Sequence, residues 1–357
     1  MTDKPPASAY AAAGVDIEAG ESAVELMKLA VASASRPEVI GGLGGFAGLF
    51  DASAFSQYRH PVLATSTDGV GTKVAIASAM GVYDTIGWDL VGMLVDDLVV
   101  VGAEPLFVTD YIACGKVIPE RVADIVAGVA AACQAAGAGL IGGETAEHPG
   151  LMGVDDFDIA GATTGVVERD AMLVPSNVQP GDAVLALASS GLHSNGYSLV
   201  RQVLLDRGGL SLDAHITELG ASLGEVLLTP TRVYAKAALA VIGECDVHAL
   251  SHITGGGLAA NLVRVLPPGV CAEVRRDTWC PAPVFGFVQR VGDISQSDIE
   301  AALNMGVGMA AVLPESQVDQ AGRMLAGFGI DSWVCGRVVA APQQPAQVRL
   351  LGTHACG

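Results

Sequence analysis

The sequence predicts a mixed α/β fold of two domains, each a sheet packed with helices. Short apolar runs of strand length alternate with longer amphipathic stretches along the whole chain. A length of 357 residues is long for one hydrophobic core and short for three. Composition is 51% apolar and 16% charged, enough to fill such cores, and 45 glycines supply tight loops between elements.

In chain order, Ser22 to Glu25 reads as a capping box that opens a helix through about Ala32. The glycine-rich loop Gly41 to Gly48 follows, and then a strand at Val62–Thr65. A helix over roughly Thr85 to Val101 precedes a strand at Leu106–Ile112. Pro119 opens the next helix, which stops before Gly137. Strands at Leu140–Ile141 and Ile159–Val167 close the first half. Pro, Ser, Asn and Gly gather between Pro175 and Pro180, and the boundary is placed near residue 172, giving domains 1–172 and 173–357. Strands at Val184–Ala188, Ala272–Arg275, Met309–Leu313 and Trp333–Val339 then alternate with helices at Tyr197–Leu205, Thr231–Ile242 and Pro314–Gly327.

The charge excludes some functions. A net charge of −19 with a pI near 4.6 repels phosphate backbones, which argues against a nucleic-acid partner. Mean hydropathy is +0.46, yet the longest uncharged stretch, Ile125 to Gly143, is broken by Gln134 and by glycines. A spanning helix needs roughly 20 apolar residues without such breaks. The N-terminus lacks a basic region followed by an apolar segment, so no secretion signal is expected. Seven cysteines without metal-ligand spacing read as buried thiols in a reducing cytosol, not as disulfides.

In so acidic a protein, anions must be held by glycine-loop N–H groups, metal ions and a few placed cations. The segment Thr67 to Lys73 follows an apolar strand. Its glycines, Gly69 and Gly71, let backbone N–H groups approach a phosphate beside Thr72; Asp68 can hold a divalent cation, and Lys73 offers a point charge. An ordinary Asp-Gly turn competes with that reading. Along the helix containing Asp97, Leu90, Val91, Leu94, Leu98 and Val101 fall on one stripe at about 100° per residue. Asp97 lies at its margin, while Asp89 and Asp96 turn to the opposite, solvent-facing side. A metal, a salt bridge or a wet rim would each satisfy Asp97. Asp110 ends an apolar strand, and Glu144 directly follows another. Asp68, Asp97 and Glu144 together suit Mg²⁺ and nucleotide phosphates. In the second half, Ser190, His193 and Asn195 lie in a small-residue loop between a strand and a helix. His252 precedes a triple glycine at a helix start.

These strings, in order, resemble the phosphoribosylformylglycinamidine cyclo-ligase family. The resemblance runs from Tyr10–Asp16 through the glycine loop, STDGVGTK (Ser66–Lys73), GAEPLF (Gly102–Phe107) and GGETAE (Gly142–Glu147). It continues through SSGLHSNGYSLVR (Ser189–Arg201), Pro230–Tyr234, HITGGGL (His252–Leu258) and Asn304–Met309, so it spans most of the chain. It implies a cytoplasmic homodimer paired through the sheet of the first domain. It also implies ATP and Mg²⁺ as cofactors and formylglycinamidine ribonucleotide as substrate. The products would be aminoimidazole ribonucleotide, ADP and phosphate. On that basis Gly44 and Gly45 belong to a flexible nucleotide loop with Asp110 nearby. Asp68, Asp97 and Glu144 hold the metal, and Lys73 neutralises phosphate. His193 is a catalytic candidate, and Ser190, His193, Asn195 and His252 contact substrate. Asp96 stands where Asn is usual, His148 where Met is common, and Leu303 where Phe is common. A sister ATP-using enzyme or a non-catalytic nucleotide-binding subunit is the competing reading; retention of Asp68, Lys73, Asp97 and Glu144 argues against the latter.

Overall fold

The computed structural model describes residues 14–42 and 44–356. Tyr10 to Ala13 of the resemblance, and Leu43 of the glycine loop, lie outside the described residues.

The first half builds α1 (Ile17–Ser33), β1 (Val39–Ile40), β2 (Leu49–Phe50), β3 (Pro61–Gly69), α2 (Val74–Met80) and α3 (Asp84–Val99). It continues with β4 (Glu104–Cys114), α4 (Pro119–Ala136), β5 (Gly139–Glu147) and β6 (Phe157–Glu168). Its main sheet runs β3-β6-β4-β5, with β4 and β5 parallel and the other pairs antiparallel. The second half supplies β7 (Ala183–Ala188), α5 (Tyr197–Arg201), β8 (His215–Ile216), β9 (Ala221–Ser222), α6 (Leu223–Leu227), α7 (Ala235–Glu244) and β10 (Ala249–His252). After these come α8 (Gly257–Leu262), β11 (Val270–Arg275), α9 (Pro283–Gly292), α10 (Gln296–Ala302), β12 (Val307–Leu313), α11 (Val318–Gly327), β13 (Ser332–Ala340) and β14 (Gln347–Leu351). A six-stranded sheet runs β10-β12-β7-β13-β11-β14, parallel only between β11 and β14.

Local chemistry sets the boundaries. Pro119 starts α4, where its fixed φ fits and its missing N–H costs nothing, and Gly137 at φ 82° ends it in the left-handed region. The expected capping box at Ser22 is not formed. Asp16 caps α1 by accepting from the Ala19 N–H at 3.0 Å, and the Ser22 hydroxyl donates to Glu18 O inside the helix. The strand foreseen at Leu140–Ile141 extends through the whole GGETAE segment. The helix foreseen to Leu205 narrows to α5 and opens into a wide π turn at Gln202–Arg207.

The helix-side face of the first sheet is covered by α1, α3 and α4. A Cβ at Gly161 would lie 2.9 Å from the Leu94 side chain, so a bare backbone there lets α3 sit close on β6. Leu90, Leu94 and Leu98 are essentially fully buried against that sheet, each worth about 1.5–3 kcal/mol of apolar transfer. On the opposite face Leu63, Thr65, Thr67 and Tyr111 stay exposed. The outer side of α3 is covered by the second half, and one continuous apolar cluster extends from Ala23 to Ile330.

The cysteine expectation needs correction. Five thiols are buried and free, but Cys280 and Cys356 form a disulfide with Cα atoms 5.4 Å apart. The Ala355 N–H donates to Trp279 O and brings the C-terminal tail alongside Cys280, a proximity that spacing in sequence could not reveal. No helix among the described residues is long and apolar enough to cross a membrane.

Candidate active site

The outward side of α3 forms the floor of a polar seam between the two halves. Asp89, Gly92, Met93, Asp96 and Asp97 recur at helical spacing and all meet the second half. Asp89 Oδ1 accepts from the Thr231 N–H at 2.9 Å and the Thr231 hydroxyl at 2.6 Å, as well as from Lys73 Nζ at 2.7 Å. A Cβ on Gly92 would lie 2.7 Å from Thr231 Cγ2, so the close approach needs glycine. Asn195 Nδ2 lies 3.3 Å from Met93 Sδ. The Tyr234 N–H donates to Asp96, 3.0 Å from Oδ1. His252 Nδ1 pairs with Asp97 Oδ1 at 2.9 Å.

Two readings of the acids on this helix are therefore corrected. Asp96 and Asp89 are fully buried rather than solvated, because the second half covers the side that periodicity alone assigns to water. Burial pushes the Asp96 carboxyl up to about 7, against the nearby His252 and the donated Tyr234 N–H. Asp97, exposed like Asp84 at the helix start, faces the cleft, where it meets His252.

Lys73 also departs from expectation. It is fully buried, and all three ammonium protons are used: on Asp89, on Thr229 O at 2.8 Å and on His193 O at 3.0 Å. Burial pushes its pKa down and that of Asp89 up, while their attraction opposes both shifts. In this arrangement Lys73 has no donor left for a phosphate. Thr72 and Gly71 remain exposed beside it.

The junction gathers five of the expected residues: Asp68, Asp97, His193, Asn195 and His252. Burial raises the Asp68 carboxyl, assisted by the negative charge of Asp97, while its own Gly69 N–H opposes the shift. Gly255 borders the Asn195 amide oxygen. His193 sits at φ 60°, a strained setting for a non-glycine residue, and its Nε2 accepts the Ser190 N–H at 3.2 Å. That bond assigns the remaining imidazole proton to Nδ1. Burial holds His193 well below the ordinary histidine range, so the ring is neutral. His193 Nδ1 and His252 Nε2 are both buried without a protein partner. Ser190 turns its hydroxyl inward to Pro230 O at 2.6 Å and does not offer that proton to a ligand.

The glycine-loop residues, Asp110 and Glu144 collect elsewhere. Gly44, Gly45, Asp110, Gly142, Gly143 and Glu144 line a cavity of about 720 Å³ roofed by α1. Phe46 is fully exposed at the rim of that cavity. Cross-strand pairing sets Asp68, Gly161, Asp110 and Gly143 in one row, on the helix-side face. Burial pushes Asp110 up to about 7, and a Cβ on Gly143 would overlap its carboxylate. Glu144, one residue farther along β5, turns to the open face opposite Tyr111. Asp68 and Asp97 adjoin, Glu144 does not join them, and no group of three or more His, Cys, Asp or Glu among the described residues is arranged to hold an ion.

Sequence reasoning missed Asp89, Thr231, Tyr234 and Asn304. Asn304 bonds Ser189 Oγ at 3.2 Å and Gly191 O at 2.9 Å, holding the loop before His193. The signal that could have found the acids is the spacing of Asp89 and Asp96, seven residues apart on one helix face in a chain with five lysines.

The chain is thus a two-part α/β protein, with a cavity of about 720 Å³ in one half and a polar junction with the other. The family described as AIR synthase related protein matches this chain twice: its N-terminal domain over residues 51–167 and its C-terminal domain over residues 179–349. A phosphoribosylformylglycinamidine cyclo-ligase of Geobacillus sp. (strain WCH70) is 48% identical over 332 residues, covering 93% of this chain and 96% of the relative. One from Geobacillus kaustophilus (strain HTA426) is 51% identical over 311 residues, covering 87% and 90%. The chain belongs to the phosphoribosylformylglycinamidine cyclo-ligase family, ATP-dependent ligases of purine biosynthesis. Its fold recurs at low identity in the crystal structure of thiamine-monophosphate kinase from Stenotrophomonas maltophilia K279a, with a TM-score of 0.67 at 20% identity over 94% of this chain and 97% of that one. A hydrogenase maturation protein HypE solved in complex with ATP has a TM-score of 0.57 at 18% identity, covering 93% and 91%.

Proposed function

We propose that the chain closes the imidazole ring by phosphorylating the formamide oxygen of formylglycinamidine ribonucleotide at the domain junction. ATP enters from the cavity roofed by α1. The observation that carries this reading is the convergence of Asp68, Asp97, His193, Asn195 and His252 from both halves at one cleft. Gly44, Gly45 and Asp110, with Phe46 at the rim, receive the nucleotide; Gly69, Gly71 and Thr72 lie toward its phosphates.

In the reaction the formamide oxygen attacks the γ-phosphorus, and ADP leaves. A substrate nitrogen then attacks the activated carbon, the C–O bond breaks, phosphate departs and the ring nitrogen loses a proton. The neutral His193 offers an Nδ1–H to a substrate oxygen, and Asn195 orients the substrate from the same loop. Asp97 fixes the His252 ring, whose free Nε2 faces the same region. Asp68 and Asp97 suit Mg²⁺, because burial and the charge of Asp97 raise the proton affinity of Asp68, and a divalent cation would relieve that repulsion. These two carboxylates would hold Mg²⁺, which would supply neutralisation of phosphate charge.

The exposed sheet face bearing Leu63, Thr65, Thr67 and Tyr111 supports pairing with a second copy, which would cover it. The boundary near residue 172 falls between the last strand of the first sheet and the first strand of the second. A cytoplasmic setting completes the reading; the five free thiols favour it, and the Cys280–Cys356 bond does not.

The test is turnover with Mg·ATP and formylglycinamidine ribonucleotide, following ADP and aminoimidazole ribonucleotide together. Equal amounts of both, lost on chelation of Mg²⁺, are expected. ADP release without ring product contradicts the proposed step.

A further inference from the structure

The segment from Ser189 to Gly196 carries two of the residues assigned to the substrate, yet little of its own structure explains its shape. His193 adopts a left-handed backbone conformation, and Gly191 and Gly196 take positive φ around it. Asn304 and the Ser190 bonds hold its start from within the second half, and the rest of the constraint comes from the other half of the molecule. Ser194 Oγ donates to Val70 O at 2.8 Å, Asn195 Nδ2 reaches Met93, and Lys73 donates to His193 O. Lys73 also holds Thr229 O, on the segment that passes behind this loop, and its charge lies 5.4 Å from the Tyr197 ring centroid. Its counter-charge Asp89 binds Thr231, two residues beyond Thr229. One buried ammonium thus ties α3, the Thr229–Thr231 segment and the strained residue of the loop together.

We propose that Lys73 is a positioning residue: through its bonds to Asp89, Thr229 and His193 it fixes the Ser189–Gly196 loop and so prepares the substrate side of the site. It touches neither ATP nor phosphate. Removing the ammonium takes the buried donor from the His193 carbonyl, the one hydrogen bond that fastens the strained residue's own backbone across the junction. The loop then relaxes away from the geometry that presents His193 Nδ1 and the Asn195 amide. A phosphate-binding lysine would instead show itself in the handling of ATP.

The inference rests on the reading that this loop contacts formylglycinamidine ribonucleotide. Its test is the separation of two KM values in a variant that does not strand a buried charge. Lys73→Met combined with Asp89→Asn removes both charges and leaves a side-chain amide that accepts from Thr231. The expected result is a KM for formylglycinamidine ribonucleotide raised about 10-fold or more, with the KM for ATP within about 2-fold of wild type. Lys73→Gln with Asp89→Asn is the second variant; it keeps buried donors and is expected to recover part of the loss, again with the ATP KM unmoved. In whichever pair folds, a raised ATP KM or an unchanged substrate KM overturns the proposal. Asn195→Ala separates its failure from that of the site reading. If Asn195→Ala leaves the substrate KM unchanged, the assignment of the loop to substrate fails. If it raises that KM while the Lys73 pairs do not, only the role of Lys73 fails.

Discussion

The junction between the two halves and the cavity beneath α1 are built in opposite ways. At the junction Lys73, Asp89, Thr231, Tyr234 and Asp96 are buried and bonded to one another or to backbone across the seam. Around the cavity Gly44, Gly45, Phe46 and Glu144 are exposed, and Asp110 finds no side-chain partner among the described residues. A rigid polar network holds a loop in a strained shape without any ligand; an open glycine loop, on the proposed function, would be completed by its nucleotide. Substitutions at the junction should therefore cost stability, whereas substitutions at the cavity should cost nucleotide affinity.

The largest expected effect comes from breaking one side of the buried pair. Lys73→Met alone leaves Asp89 charged and uncompensated, and should destabilise the fold by about 3–5 kcal/mol in denaturant titration. Gly308→Ala should come next. Its methyl group would overlap the Tyr234 hydroxyl, itself bonded to Ala188 O at 2.7 Å, and crowd the His193 ring, a loss of about 1–3 kcal/mol. Gly143→Ala in the cavity also meets an oxygen, but that of the Asp110 carboxylate, which is not tied to another side chain among the described residues, and should cost less by the same titration.

Asp110 sharpens the comparison through pH. Burial raises its folded pKa to about 7, above the unfolded value, so the native state holds the proton more tightly. Its contribution to stability falls as pH rises from about 4 to 7 and is level above that. Asp110→Asn should therefore melt higher than wild type at pH 8 and nearly together with it at pH 4.5. The smallest effect on stability belongs to Phe46→Ala, which should leave the melting temperature unchanged while raising the KM for ATP.

Much of this fold can be read from the chain. The alternation of elements, Pro119 and Gly137 at the ends of α4, and the glycine-loop and GGETAE segments are local signals, and the strands and helices they imply are present. Asp68, Asp97 and His252 were also accessible as polar groups at the ends of apolar patterns. The error lay in α3. Its leucine stripe identifies the side facing the sheet, but an acid facing water and an acid facing a buried lysine look alike in sequence. Asp89 and Asp96 become intelligible only when Lys73, Thr231 and Tyr234 arrive from sixteen to well over a hundred residues away. The same distance in sequence hid the Cys280–Cys356 bond, separated by 76 residues. The motif around Lys73 suggests phosphate, whereas its burial engages every donor within the protein, a partnership that spacing in sequence does not show.

Hydrogen exchange on the intact enzyme, with each ligand added alone, tests the division between the two regions most directly. Mg·ATP should protect the Gly41–Gly48 and Gly142–Glu147 segments, and formylglycinamidine ribonucleotide should protect Ser189–Gly196 and His252–Gly257. Protection of the Ser189–Gly196 loop by ATP alone, with the glycine loop unaffected, would contradict the account.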